Sequence, residues 1–352
     1  MKMDNHMGTI KCRLLRSISI IIFMMLSAGC AADLGETAAE EGKIQILCTA
    51  FPLYDWTRQV AEECEDSIGV SLLMDQGTDS HNYQPTAEDI IRISEADIVI
   101  YVGGESDLWM EDVLASIPAE RRERQQYLSM MEVLGSSLRE EEHIEGMPET
   151  FGGHAYEEVG AGEEGHTDEA EYDEHIWLSL RNASTCVQAI AAAVMDKDLD
   201  QNDSRIVAEN VERYLAELES LDGQYETMVS EAFLNRVLFA DRFPFLYLMK
   251  DYGLEYDAAF PGCSTETEAS FETVIFLAGR LEEYDLPVVL VMEDGDQRMA
   301  ETIIDNTAGK DQEILVLNSM QSVTAADIGQ GVTYLSVMQE NLAVLQTALA
   351  YE

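Results

Sequence analysis

The feature that most constrains this chain lies in its middle. Ile206, Val207, Val211, Tyr214, Leu215, Leu218, Leu221, Tyr225, Met228, Val229 and Ala232 recur at three- and four-residue steps, and glutamates fill much of the opposite face. That spacing is one apolar stripe on a continuous α-helix, with Gly223 its one weak point. About 27 residues at 1.5 Å each give roughly 40 Å, the length of a whole lobe. A helix of that length acts as a stiff connector, so whatever flanks it is held at a set distance.

Both flanks carry the same grammar. Before the helix, apolar runs at Ile44–Ala50, Val70–Met74 and Asp97–Val102 alternate with helical stretches at Leu53–Cys64, Thr86–Ala96 and Leu108–Leu114. After it, strands are expected at Val237–Ala240, Val288–Met292 and Ile314–Leu317. Helices are expected at Pro244–Tyr252, Glu268–Tyr284, Gln297–Ala308 and Thr333–Ala350. Alternation of this kind predicts α/β architecture, with parallel sheets covered by helices. The expected division is an N-terminal lobe over 44–200, a linking helix over 201–233 and a C-terminal lobe over 234–352.

The 352 residues carry 21 Lys and Arg against 68 Asp and Glu, a formal charge of −47. Such a surface repels phosphate backbones and excludes nucleic acid as a natural partner. The one basic part is the start. Lys2, Lys11, Arg13 and Arg16 precede the apolar run Ile18–Leu26, too short to span a bilayer as a mature helix. It ends in Leu26-Ser27-Ala28-Gly29-Cys30 and reads as a secretory signal over 1–29. The cysteine at the cut resembles a bacterial lipobox, although the leucine stands four places before it rather than the usual three. That resemblance implies lipid on Cys30, followed by a small, acidic tether over 30–43. Removing the first 29 residues takes away four basic groups and one acid, leaving −50.

Four further cysteines, Cys48, Cys64, Cys186 and Cys263, lack CxxC spacing, so a zinc ribbon or thioredoxin site is not expected. Outside the cytoplasm they are free to pair, in a connectivity that spacing leaves open. The stretch Glu140–Glu174 breaks the grammar. At least ten glutamates, two aspartates and six glycines surround His143, His154 and His166. It reads as a solvated loop with no core of its own. Its histidines are either scattered or a weak, exchanging cation collector.

Beyond that loop and the signal, histidine is confined to two places. His81 follows the second strand in Gly77-Thr78-Asp79-Ser80-His81-Asn82-Tyr83-Gln84-Pro85. In an open α/β sheet such a loop lies at the strands' carboxyl ends, where ligands bind. His175 follows the acidic loop in Asp173-Glu174-His175-Ile176-Trp177-Leu178.

These motifs, with Phe51-Pro52-Leu53-Tyr54-Asp55, Glu95-Ala96-Asp97, Asp251-Tyr252-Gly253-Leu254 and Tyr334-Leu335…Asn341-Leu342, occur in an order that resembles one family. It is that of the zinc/manganese solute-binding lipoproteins of ABC transporters, over about residues 44–350. The resemblance implies two α/β lobes joined by a rigid helix, a single metal in the cleft, a monomer and a membrane permease as partner. It implies His81 and His175 as N-lobe ligands. In the C-lobe the family's third-ligand place, usually histidine or glutamate, holds Asp241. Its fourth, commonly aspartate, holds Asn318, with Glu293 or a water as replacement and Cys263 as an outside candidate.

Two imidazoles with carboxylates suit tetrahedral zinc, whereas more oxygens suit manganese. The Irving–Williams order and the loop histidines favour zinc. A surface adhesin and a secreted metallohydrolase are the competing readings. The second is disfavoured because neither HExxH nor Gly-x-Ser-x-Gly occurs in the chain.

Overall fold

Alternation along the strands decides where each face points. In β1 (Ile44–Cys48) and β3 (Ile98–Tyr101), Ile46, Cys48, Ile98 and Ile100 face one core while Leu47 and Val99 face another. In β5 (Arg236–Phe243) and β7 (Val288–Val291), Val237, Phe239, Val288 and Leu290 face the first of these, and Leu238, Ala240, Val289 and Val291 face a third. The two-residue period of a strand therefore makes two outer cores and one central core shared by both halves of the molecule. The computed structural model describes residues 42–78, 80–147, 171–262 and 269–350.

With β2 (Ile68–Leu72) and β4 (Gln126–Ser129), the first sheet has the parallel order β2-β1-β3-β4. With β6 (Glu255–Pro261) and β8 (Glu313–Val316), the second has the parallel order β6-β5-β7-β8. The α/β class with two doubly wound parallel sheets is thus as expected. In sequence order the main helices are α1 (Phe51–Val60), α2 (Ala87–Glu95), α3 (Trp109–Ser116), α4 (Leu180–Met195), α5 (Gln201–Glu231), α6 (Leu246–Tyr252), α7 (Phe271–Glu283), α8 (Arg298–Asp305) and α9 (Tyr334–Ala348).

The connecting helix α5 runs unbroken for 31 residues, Gly223 included. Asp200 caps it by accepting from the amides of Asn202 and Asp203. Its buried stripe is Val207, Tyr214, Leu218, Leu221, Tyr225 and Met228, all members of the central core. Polar clamps fasten it to both halves. Asn210 donates to the carbonyls of Val60 and Glu62, and Tyr225 donates to that of Met338 at 2.6 Å.

Three elements depart from the sequence expectation. The edge strand β4 is half polar and had no apolar run to announce it. The strand β6 carries a buried Asp257, which ion-pairs with Arg236 and Arg280 and so interrupts the apolar signal. Helix α4 buries Leu180, Ala183, Cys186, Val187, Ile190 and Val194 and exposes Arg181, Thr185 and Gln188, an amphipathic period that the sequence reading passed over. Cys48, Cys64 and Cys186 are buried free thiols, raised by burial to about 12, 11 and 12. None pairs with another, and as protonated thiols they are poor metal ligands. Cys30 and Cys263 lie outside the described residues.

One junction has a measurable pH signature. Asp55 on α1 is buried and accepts from the amide of Tyr334, the first residue of α9. Burial pushes its carboxyl up to about 6, against the pull of that hydrogen bond. An unfolded aspartate titrates near 3.9, so the folded state takes up the proton first as pH falls. Asp55 therefore costs stability above pH 6, and the cost is relieved between about 6 and 4. Between pH 7 and 5 the gain is about 1 kcal/mol. Urea titrations of the parent protein and Asp55→Asn should show that slope in the parent and its loss in the variant; parallel slopes would refute the assignment.

Candidate metal centre

Both histidines sit at the carboxyl ends of the first sheet. His81 lies in a 3-10 turn, Ser80–Asn82, after β2. The loop carrying it is pinned by Tyr83, whose ring meets Trp109 edge-on at 5.3 Å. It is also tied to the second half of the chain: Ala325 donates to the Asp75 carbonyl, and Gln76 pairs with Thr324. His175 precedes the 3-10 turn Ile176–Leu178, which leads into α4. His175 is fully buried and His81 half-buried.

Their rings converge. Nε2 of His81 lies 3.4 Å from Nε2 of His175. His175 Nδ1 is 3.1 Å from Asp173 Oδ1, an oxygen that also accepts from the His175 amide at 2.8 Å. His81 Nδ1 is 2.8 Å from the Ser106 hydroxyl. With each Nδ1–H directed to an oxygen, each Nε2 presents its lone pair to the same point. Two nitrogens bound tetrahedrally at 2.0–2.1 Å stand about 3.3–3.4 Å apart, so the observed spacing fits a shared zinc ion.

The residue between them is engaged as well. Glu174 is buried, and its Oε1 accepts from the Ser106 amide at 3.0 Å. Burial raises its carboxyl, and its hydrogen bonds with Ser106 oppose that rise. The chain can approach so closely only because of Gly104. A Cβ there would overlap the Glu174 carboxylate, and φ 80°, ψ −164° is a conformation open to glycine.

The acidic segment is more structured at its ends than its composition suggests. Glu141 donates to the Glu171 carbonyl and Asp173 to that of Arg139, closing a short antiparallel clasp. Glu142 binds Lys250 at 2.7 Å and Tyr256 at 2.9 Å, Glu145 reaches Arg280, and Met147 is buried in the central core. Read as a solvated loop with no core of its own, Glu140–Glu174 nevertheless fastens its described ends to the rest of the chain. Apolar Met147 and cationic Lys250 and Arg280 supply what the glutamates alone do not. His143 is exposed on this strap, whereas His154 and His166 lie outside the described residues.

The C-lobe candidates are placed differently. Asp241 sits at a register shift in β5, accepting from the amides of Arg242 at 2.8 Å and Met292 at 3.3 Å beneath Gly295. Burial raises its carboxyl. Glu293 gathers the loop after β8, accepting from the Ser319 and Gln321 amides and the Ser319 hydroxyl. Asn318 caps its own turn through the Met320 amide. The structure does not bring these three to the histidine pair, and among the described residues no group of three His, Cys, Asp or Glu is arranged to hold a metal. What the C-lobe does place against His175 is backbone: a Cβ on Gly262, just after β6, would stand 3.2 Å from His175 Cε1.

Sequence reading missed the supporting residues, Asp173, Glu174 and Ser106. Asp173 was legible as part of its motif but not as the partner of an imidazole, and Ser106 stands 25 residues from His81. The profile of the family described as "Zinc-uptake complex component A periplasmic" matches residues 46–348. The chain belongs to that family. It is 28% identical over 328 residues to the zinc-binding lipoprotein AdcA of Streptococcus pneumoniae, covering 92% of this chain and 60% of that protein. It thus spans well under the full length of AdcA. With the high-affinity zinc uptake system protein ZnuA of Bacillus subtilis it shares 25% identity over 332 residues, covering 94% and 96%. Two solved structures share the fold. The metal-dependent lipoprotein YcdH of Bacillus subtilis has a TM-score of 0.67 at 23% identity, covering 87% of this chain and 99% of that one. The Zn(II)-bound ZnuA-like domain of Streptococcus pneumoniae AdcA has 0.65 at 24%, covering 88% and 99%.

Proposed function

We propose that this chain is the extracytoplasmic zinc-capture component of an ABC importer, held to the membrane by lipid on Cys30, and that it delivers Zn2+ to a permease. The observation that carries the reading is the pair of Nε2 atoms 3.4 Å apart, each ring tethered to an oxygen at Nδ1. That is the donor arrangement of a first shell with its orienting partners already in place. The names of AdcA and ZnuA, both zinc proteins, point the same way.

On this reading His81 and His175 bind first, and the C-lobe completes the shell with oxygen. Asp241 is the carboxylate ligand, and Glu293 or Asn318 the fourth. Each of the three trades a backbone hydrogen bond for the metal, at a cost near that of one charge-assisted bond. A shell so completed is that of a carrier that closes on its cargo and reopens at the permease. No position is reserved for a reacting water, which a hydrolase requires. Manganese uses the same donors with weaker affinity.

Competitive zinc-against-manganese titration of the apo, lipid-free protein tests the assignment. One tight zinc site that excludes manganese is expected; equal affinities, or no stoichiometric site, would overturn it. Deleting residues 148–170 should spare that site and remove only weaker binding, because Asp173, which orients His175, stays in place. A deletion extended through Asp173 should damage the tight site itself.

A further inference from the structure

The carboxyl edge of the first sheet holds a second crevice besides the one that takes the histidines. A cavity of about 370 Å³ lies beyond Tyr101 and Ser129, the last residues of β3 and β4, which both line it. Neither His81 nor His175 lines it, and no C-lobe residue does. The turn Gly103–Asp107 borders both places. Its Ser106 bonds His81 and Glu174, whereas Gly103 and Asp107 line the cavity. We propose that this cavity is a binding site for a small organic ammonium ion with a short apolar tail.

The charge of the lining selects a cation. Asp107, Glu111 and Glu132 reach the cavity from the turn, from α3 and from the short helix Met130–Leu134. Among the described residues no lysine, arginine or histidine lines it. Asp107 is 6% exposed, and its Oδ2 accepts from the Gly103 amide at 2.9 Å. Among the described residues no cationic side chain pairs with it. Burial pushes its carboxyl up to about 6. A buried carboxylate without a cation is costly, and an ammonium beside it supplies the partner. Capping the turn accounts for one oxygen of Asp107 but not for two further carboxylates around the same void. The apolar tail follows from the walls. Met110, Leu114, Met131 and Leu138 line the cavity, and Leu108, 60% exposed, adds an apolar rim. Ligand sites span roughly 300–1,000 Å³, and this cavity is at the small end, so it suits a compact amine rather than a peptide. Its place beyond the strands' carboxyl ends is where open α/β sheets take ligands.

Methionine-methyl NMR of the metal-free, lipid-free protein, titrated with n-butylammonium, is the test. The Met110 and Met131 signals should shift saturably, with a dissociation constant of about 1 mM, as befits so small a ligand. Butyrate and n-butanol match the tail but not the charge, and should bind at least about tenfold more weakly. Combining Glu111→Gln with Glu132→Gln removes two exposed carboxylates and leaves the core intact. It should weaken n-butylammonium binding about three- to tenfold. Asp107→Asn should weaken it by about tenfold or more. Circular dichroism checks folding, and the double variant decides the matter where Asp107→Asn does not fold. Absence of a saturable shift at Met110 and Met131, equal binding of the three probes, or unchanged affinity in the folded double variant would each overturn the proposal.

Discussion

Alanine at His175 is expected to abolish stoichiometric zinc binding. The ring is 1% exposed, its Nδ1 is committed to Asp173, and its Nε2 is one of two nitrogens that converge on a single point. Losing an orienting partner costs a metal site about 10–100-fold, so removing a ligand itself should exceed the upper end of that range. His81→Ala should behave alike, and the double variant should lose little beyond either single one, because each change alone destroys the same pair. Metal analysis after dialysis, with circular dichroism to confirm folding, is the measurement. Retention of one equivalent of zinc by a folded His175→Ala protein would remove the proposed centre altogether.

Trp177→Ala is expected to be the most damaging single change to the scaffold. The indole is 3% exposed and meets the His175 ring edge-on at 5.4 Å. Its Nε1 donates to the Ser319 carbonyl at 2.8 Å, in the loop after β8, and its own carbonyl accepts from Tyr334 at 2.7 Å. One residue therefore joins the histidine segment, the C-lobe loop and the last helix. A large aromatic cut to alanine in a core costs about 3–5 kcal/mol, and stranding the Ser319 carbonyl and its neighbours adds to that. Trp177→Phe keeps most of the ring and loses the hydrogen bond, so it should cost about 1–3 kcal/mol. Urea unfolding separates these. A loss under 1 kcal/mol for Trp177→Ala would mean that the junction is held elsewhere.

The junction also explains why the two halves share a core. Ser179 hydrogen-bonds Asp251, Tyr247 donates to the Asp173 carbonyl at 2.9 Å, and Arg181 spans Asp222, Glu226 and the Asp251 carbonyl. These bonds lock α6 of the second half onto the segment that carries His175. Of the C-lobe candidates, Asp241 lies at the register shift within β5, and Glu293 and Asn318 lie in the loops after β7 and β8.

Much of this was legible in the residues. The period of Ile206–Ala232 named α5 and its buried face because a long amphipathic stripe has few other solutions. The alternating grammar named parallel sheets, and scarcity singled out His81 and His175. Reading failed where tertiary partners override local pattern. Asp257 is tolerated in β6 because Arg236 and Arg280 neutralise it. Glu142 and Glu145 belong to a packed strap because Lys250 and Arg280 stand opposite them.

By itself, then, the sequence determined the class of fold, the stiff connector and the two imidazoles, since periodicity and residue type are local properties. Only the tertiary structure decided how those imidazoles face each other. Their orientation depends on hydrogen bonds with Asp173 and Ser106, and such bonds form between atoms that folding brings together. The same holds for the C-lobe oxygens: the family resemblance marked them as candidate donors, and the fold gives them backbone amide partners.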